Sequence, residues 1–185
     1  MGFSLLLGPM TFSVGNATAP KPAAPVRGVA LDRTVTVTAY NAVPGQTDET
    51  PFETASGAYS NPEVVAARSQ DFAKELPFGT IIELDGSTIT SEGTCGYGVV
   101  APLIGYRVIE DTMNARYTSR VDILFDTKAD YKSADGGARN AAEVLGICKG
   151  VTVRVVGHVD INHIPKTQVE LARLVNGSAK ALALK

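Results

Sequence analysis

Residues 33–40, Arg-Thr-Val-Thr-Val-Thr-Ala-Tyr, alternate polar and apolar side chains with a period of two. Successive strand side chains point to opposite faces, so this pattern fits a strand with one buried face and gives a helix no apolar stripe. Such a strand needs hydrogen-bonding neighbours. The chain offers them in further apolar or β-branched runs at residues 64–67, 80–84, 99–100, 106–109, 121–125 and 151–156. The first strand is followed by a loop rich in Pro, Gly, Thr and acidic residues over 41–62, and the spacing of the short runs predicts a small β-barrel.

Two segments break that rhythm. Residues 128–146 are rich in Ala, Glu and Leu and predict a helix interrupted at Gly136-Gly137. In residues 166–175, Val169, Leu171, Leu174 and Val175 recur at a loosely helical period, and Asn176-Gly177 is a stop signal. This predicts a short helix on the barrel, within a C-terminal extension over residues 161–185.

With 185 residues, 44% of them hydrophobic, the chain has material for one ordinary core and short extensions. A formal net charge of -2, with no basic run interleaved with aromatics, offers no field for phosphates and argues against a nucleic-acid partner. An apolar stretch at Phe3-Ser4-Leu5-Leu6-Leu7 followed by Ala17-Thr18-Ala19 has the form of a signal peptide over residues 1–19. The expected location is therefore secreted, periplasmic or otherwise in the cell envelope. The apolar stretch is too short for the ~20 residues a membrane helix needs, so no stable membrane insertion is expected after processing. Pro20-Lys21-Pro22-Ala23-Ala24-Pro25 reads as a polyproline-biased linker over residues 20–28, with the barrel over residues 29–160. Cys95 and Cys148 admit two readings, a disulfide suited to an oxidising compartment or two separate thiols.

The chemistry centres on Asp111 and Asp122, one closing a predicted strand and the other just inside the next. Carboxyl groups sharing a partly dry cleft move apart in pKa, which leaves one protonated and able to act as an acid, as glycosidic bond cleavage requires. The plainer reading of strand-end aspartates is a pair of solvated caps. His158, Asp160 and His163 match no common ligand spacing, and no metal or cofactor is called for.

Asp111-Thr112, Ala115 and Arg120-Val121-Asp122 resemble the Asp-Thr, Ala and Arg-hydrophobic-Asp pattern of the 3D domain, a family named for its aspartates. Thr38-Ala39-Tyr40, Thr54-Ala55-Ser56-Gly57 and Leu76-Pro77-Phe78-Gly79-Thr80 fit the same family in order. The resemblance spans roughly residues 35–156 as a set of ordered short blocks. It implies a mainly β fold, a six-stranded double-psi β-barrel with short helices and a C-terminal helix, similar to the barrels of A-type membrane-bound lytic transglycosylases, rare lipoprotein A and expansins. It implies Asp122 as the catalytic acid and Asp111 as the partner that shapes its environment. Asp71 is the candidate for the third aspartate, although it is displaced from the family's usual position. Met113-Asn114 stands where many members have Gly-Gly.

Thr38, Tyr40, Ser56 and Thr112 are candidate hydrogen-bonding groups for sugar hydroxyls, and Tyr40 a candidate stacking platform. The implied partner is peptidoglycan or another cell-wall glycan. Two functions follow from this resemblance: lytic transglycosylase-like cleavage of peptidoglycan β-1,4 bonds, or a binding module that holds the glycan without cutting it.

Overall fold

The computed structural model describes residues 33–47, 49–90, 95–132 and 136–183, with side chains as far as Gly177. The expected signal peptide, the linker and the start of the barrel at Val29 lie outside these residues.

The chain opens with strands β1 (Arg33–Asn41), β2 (Val65–Arg68) and β3 (Thr80–Asp85), then helix α1 (Tyr97–Ile104). Strands β4 (Arg107–Thr112) and β5 (Arg120–Phe125) follow, then a small hairpin of β6 (Asp130–Lys132) and β7 (Ala138–Asn140). Helix α2 (Ala141–Leu145), strand β8 (Cys148–His158) and helix α3 (Gln168–Ala183) complete it.

Six strands close a barrel in the order β1-β5-β2-β4-β3-β8. The β1–β5 and β2–β4 ladders are parallel and the other four antiparallel. Strand β5 sits between β1 and β2, and β2 sits between β5 and β4. These two interlocked insertions make the double-psi arrangement. Exchanging β1, β2 and β3 for β4, β5 and β8 reproduces the same neighbours, so a pseudo-twofold relates the halves. Every barrel ladder joins a strand of one half to a strand of the other.

Val35, Val37, Ile109, Val121, Ile123, Val151 and Val153 belong to the larger core cluster, joined by residues of α1 and α2. A second cluster includes Val65, Ile81, Val108 and Leu124 with Leu171 and Val175 of α3, one helical turn apart. Arg107 is 1% exposed, and its guanidinium donates to the carbonyls of Leu103, Ile104, Pro62 and Leu124. It thereby satisfies carbonyls at the end of α1. Burial lowers its pKa to about 9, so it still carries its charge at neutral pH. Cys95 and Cys148 are disulfide-bonded, which ties the start of the α1 region to the first residue of β8.

Three expectations require correction. Val99-Val100 lies in α1, where Val100 and Ile104 are buried four residues apart, a helical period that a two-residue apolar run does not reveal. The helix expected over residues 128–146 is confined to α2; the segment before it forms the β6–β7 hairpin, with Gly136-Gly137 in its connection. Asn140 caps α2 by accepting from the amide of Ala142. Helix α3 starts at Gln168 and continues through Asn176-Gly177. The cost of an interior glycine, about 1 kcal/mol, does not end a helix whose next residues include good helix formers.

Candidate active-site cleft

Register places four residues in one row across the sheet. Thr38 of β1 pairs with Asp122 of β5, Asp122 with Ala67 of β2, and Ala67 with Asp111 of β4. Residues opposite one another on adjacent strands share a face, and strands lie about 4.8 Å apart, so the aspartate Cα atoms stand about 10 Å apart across Ala67. The single methyl of Ala67 leaves the space between the two carboxyl groups open.

A bulge turns Asp111 toward that space. Ala66 pairs with Ile109 but Ala67 pairs with Asp111, which makes Glu110 an extra residue in β4. Ile109 and Glu110 are both 0% exposed, so the period-two alternation fails at this point. The Glu110 carboxyl accepts a 2.5 Å hydrogen bond from the Ser56 hydroxyl, and the Glu110 carbonyl accepts from the Ser56 amide at 3.0 Å. Among the described residues its other oxygen, Oε1, has no hydrogen-bond partner. Burial raises the Glu110 pKa, against the opposing effect of hydrogen bonds from Ser56 and the Gly79 amide.

Ser56 thus anchors a loop to β4, and that loop delivers a donor to the cleft: the amide of Ala55 reaches Asp111 Oδ1 at 3.0 Å. Asp111 Oδ1 also accepts from the Thr112 amide at 2.8 Å, and Oδ2 accepts from the Tyr40 hydroxyl at 2.9 Å. The Tyr40 pKa is well above the usual phenol value, first through burial and then through Asp111, so its hydroxyl remains a donor. Asp122 is held differently. Among the described residues its carboxyl accepts one hydrogen bond, from the Thr38 hydroxyl at 2.7 Å. Burial pushes its pKa up to about 6, although Thr38 and Arg120 pull the other way and Asp111 adds a smaller upward push.

Tyr40, Ala67, Asp111, Thr112 and Asp122 floor a cleft of about 760 Å³. Gln46, Glu53, Asn114, Arg116, Tyr117 and Glu143 contribute to its walls. Tyr40, Asp111, Thr112 and Asp122 line this cleft, while Thr38 is outside the lining and reaches it through its hydrogen bond to Asp122.

Ser56 and Asp71 do not line the cleft. The hydroxyl of Ser56 is engaged with Glu110 and Thr54. Asp71 is exposed and accepts from the amide of Ser119, a residue with φ 52°, where a non-glycine side chain is uncommon. Desolvation opposes its ionisation, but hydrogen bonds from Ser69 and Ser119 outweigh this and hold the Asp71 carboxyl below the usual carboxylate range. Its work is to shape the turn into β5, and so to place Asp122 indirectly. His163 Nδ1 lies 3.3 Å from Asp160 Oδ2 in an exposed turn, away from the cleft.

Sequence reasoning missed Ala67, Glu110, Arg116 and Tyr117. Arg120, already quoted with Asp122, lies two residues before it on the same strand face.

No protein-family model matches the chain, and neither does any curated protein. The chemistry must therefore be argued from the site. A carboxyl with a pKa of about 6 can exchange a proton near neutral pH. With one hydrogen bond among the described residues, from Thr38 to Oδ1, its second oxygen is left for a ligand, and an anchored carboxyl stands across an open gap.

Proposed function

We propose that the protein acts on cell-wall glycan in the envelope or outside the cell, cleaving peptidoglycan β-1,4 bonds as lytic transglycosylases do, with Asp122 as general acid and base. The observation that carries this reading is Asp122 itself: a cleft carboxyl with one protein donor and a pKa of about 6. The resemblance of Asp111-Thr112 and Arg120-Val121-Asp122 to the 3D domain points the same way.

In the protonated form, Asp122 gives its proton to the glycosidic oxygen as the C1–O bond breaks. As carboxylate it then takes the proton from the 6-hydroxyl of the same N-acetylmuramyl unit, whose oxygen bonds to C1 and closes a 1,6-anhydro ring. The sugar supplies its own nucleophile, which gains from proximity, and no second protein nucleophile is needed. Asp111, anchored by three donors, contributes a fixed hydrogen-bond acceptor on the far side of Ala67.

The test is mass spectrometry of peptidoglycan incubated with the protein and with Asp122→Asn. Appearance of 1,6-anhydro muropeptides with the wild type alone supports cleavage. Co-sedimentation of both proteins with intact glycan, without product, replaces it with the binding-module reading.

A further inference from the structure

We infer that the cleft selects glycans bearing well-separated carboxylates, one of which is received by Arg116 and Arg120 at the Tyr117 wall. The inference deepens the glycan reading above and rests on it.

Two arginines converge on one ring. The guanidinium carbons of Arg116 and Arg120 lie 4.8 and 4.9 Å from the centre of the Tyr117 ring. Arg116 also donates to the Tyr117 hydroxyl at 2.9 Å. Stacking fixes the plane of a guanidinium and leaves N–H groups at its edge, the geometry that grips a carboxylate. Among the described residues neither arginine forms an ion pair. Arg116 and Tyr117 line the cleft, and Arg120 is close enough to Asp122 to lower its pKa.

The remaining walls decide what kind of anion fits. Asp111, Asp122, Glu53 and Glu143 line the same cleft. A chain with a charge on every sugar sets carboxylates against these groups and is repelled. A chain with a carboxylate on alternate sugars places one at Tyr117 and leaves a neutral ring over the aspartates. Muramic acid supplies such a carboxylate through its lactyl ether where the stem peptide has been removed, and a uronate alternating with a neutral hexosamine supplies another.

Calorimetric titration separates these cases, with Asp122→Asn as the background so that cleavage cannot intervene. The probes are an N-acetylglucosamine–N-acetylmuramic acid tetrasaccharide, an N-acetylglucosamine–glucuronic acid tetrasaccharide and neutral chitotetraose. The expected result is binding of the muramyl or glucuronyl probe about tenfold tighter than chitotetraose, the better of the two naming the source of the carboxylate. Adding Arg116→Gln and Arg120→Gln erases that preference while leaving chitotetraose binding in place. Arg116→Gln alone, at an exposed position, serves as the variant least able to disturb folding and removes part of the preference. Equal binding of charged and neutral probes, or a preference that survives loss of both arginines, overturns the inference and leaves the glycan reading standing. Failure to bind any of the three overturns the glycan reading itself, and this inference with it.

Discussion

The two halves of the barrel have equivalent strands and unequal chemistry. The pseudo-twofold that exchanges β1 with β4 and β2 with β5 superposes Thr38 on Asp111 and Ala67 on Asp122. One parallel pair therefore carries Thr38 beside Asp122, and the other carries Asp111 beside Ala67. Thr38 can donate a hydrogen bond to its neighbour, whereas Ala67 cannot. Asp111 accordingly draws its donors from Tyr40, Ala55 and Thr112, while Asp122 has, among the described residues, Thr38 alone. One backbone frame thus holds two carboxyl groups in different states of restraint, and the proton-exchanging role falls to the less restrained one.

The largest effect is expected from Asp122→Asn, which leaves the row without its exchangeable proton. Cleavage should fall by about 10³-fold, read as the yield of anhydro product. The same variant reports a linkage effect whose sign is fixed. An unfolded aspartic acid has a pKa near 3.9, whereas folded Asp122 sits at about 6, so the folded state holds the proton more tightly. That contribution to stability is complete below about pH 4 and is lost as pH rises through 6, by about 3 kcal/mol in total. Denaturation curves at pH 4 and pH 8 should therefore show the wild type losing stability relative to Asp122→Asn. Loss of activity without this pH dependence would assign Asp122 a binding role in place of proton exchange.

The second effect tests whether the row and the scaffold are separable. Reducing Cys95–Cys148 frees a loop with a sequence separation of 53. Loop entropy predicts a stability loss of about 4 kcal/mol, measured by urea unfolding with and without reductant. Because the bond lies outside the Thr38–Asp122–Ala67–Asp111 row, the pH profile of the folded fraction should not move.

Thr38→Val makes the two parallel pairs more alike by removing the hydroxyl that donates to Asp122. Thr38 lowers the pKa of that carboxyl, so the alkaline limb of the cleavage profile should shift upward, by on the order of one pH unit. A downward shift would contradict the assignment of Asp122 as the acid. The smallest effect belongs to Tyr40→Phe, since Asp111 keeps two backbone donors. A stability loss of about 1 kcal/mol is expected, with a few-fold change in turnover.

Much of this architecture is legible in residue order. Each of the six barrel strands overlaps an apolar or β-branched run, and β1, with one face buried, also writes a period of two into the sequence. The terminal helix is legible through Leu171 and Val175. The bulge is not, since Glu110 is a surplus residue only with respect to β2, a strand more than 40 positions earlier. The same applies to Ala67, which looks like one small residue among several until two aspartates are placed beside it. Ser56 reads in the sequence as a sugar-binding hydroxyl and Asp71 as the third aspartate, but the partners that occupy them, Glu110 and the Ser119 amide, are set by tertiary contact outside the cleft lining.

The alternation of the halves around the barrel has a consequence in time. None of β1, β2 and β3 hydrogen-bonds to another member of that group, and the same holds for β4, β5 and β8. A nascent chain that has emerged only through β3 has no barrel partner for any of its strands, and the first ladders must wait for β4. Closure must wait for β8, the last strand made. Such non-local pairing predicts slow, all-or-none folding, in which no half survives as a structured intermediate.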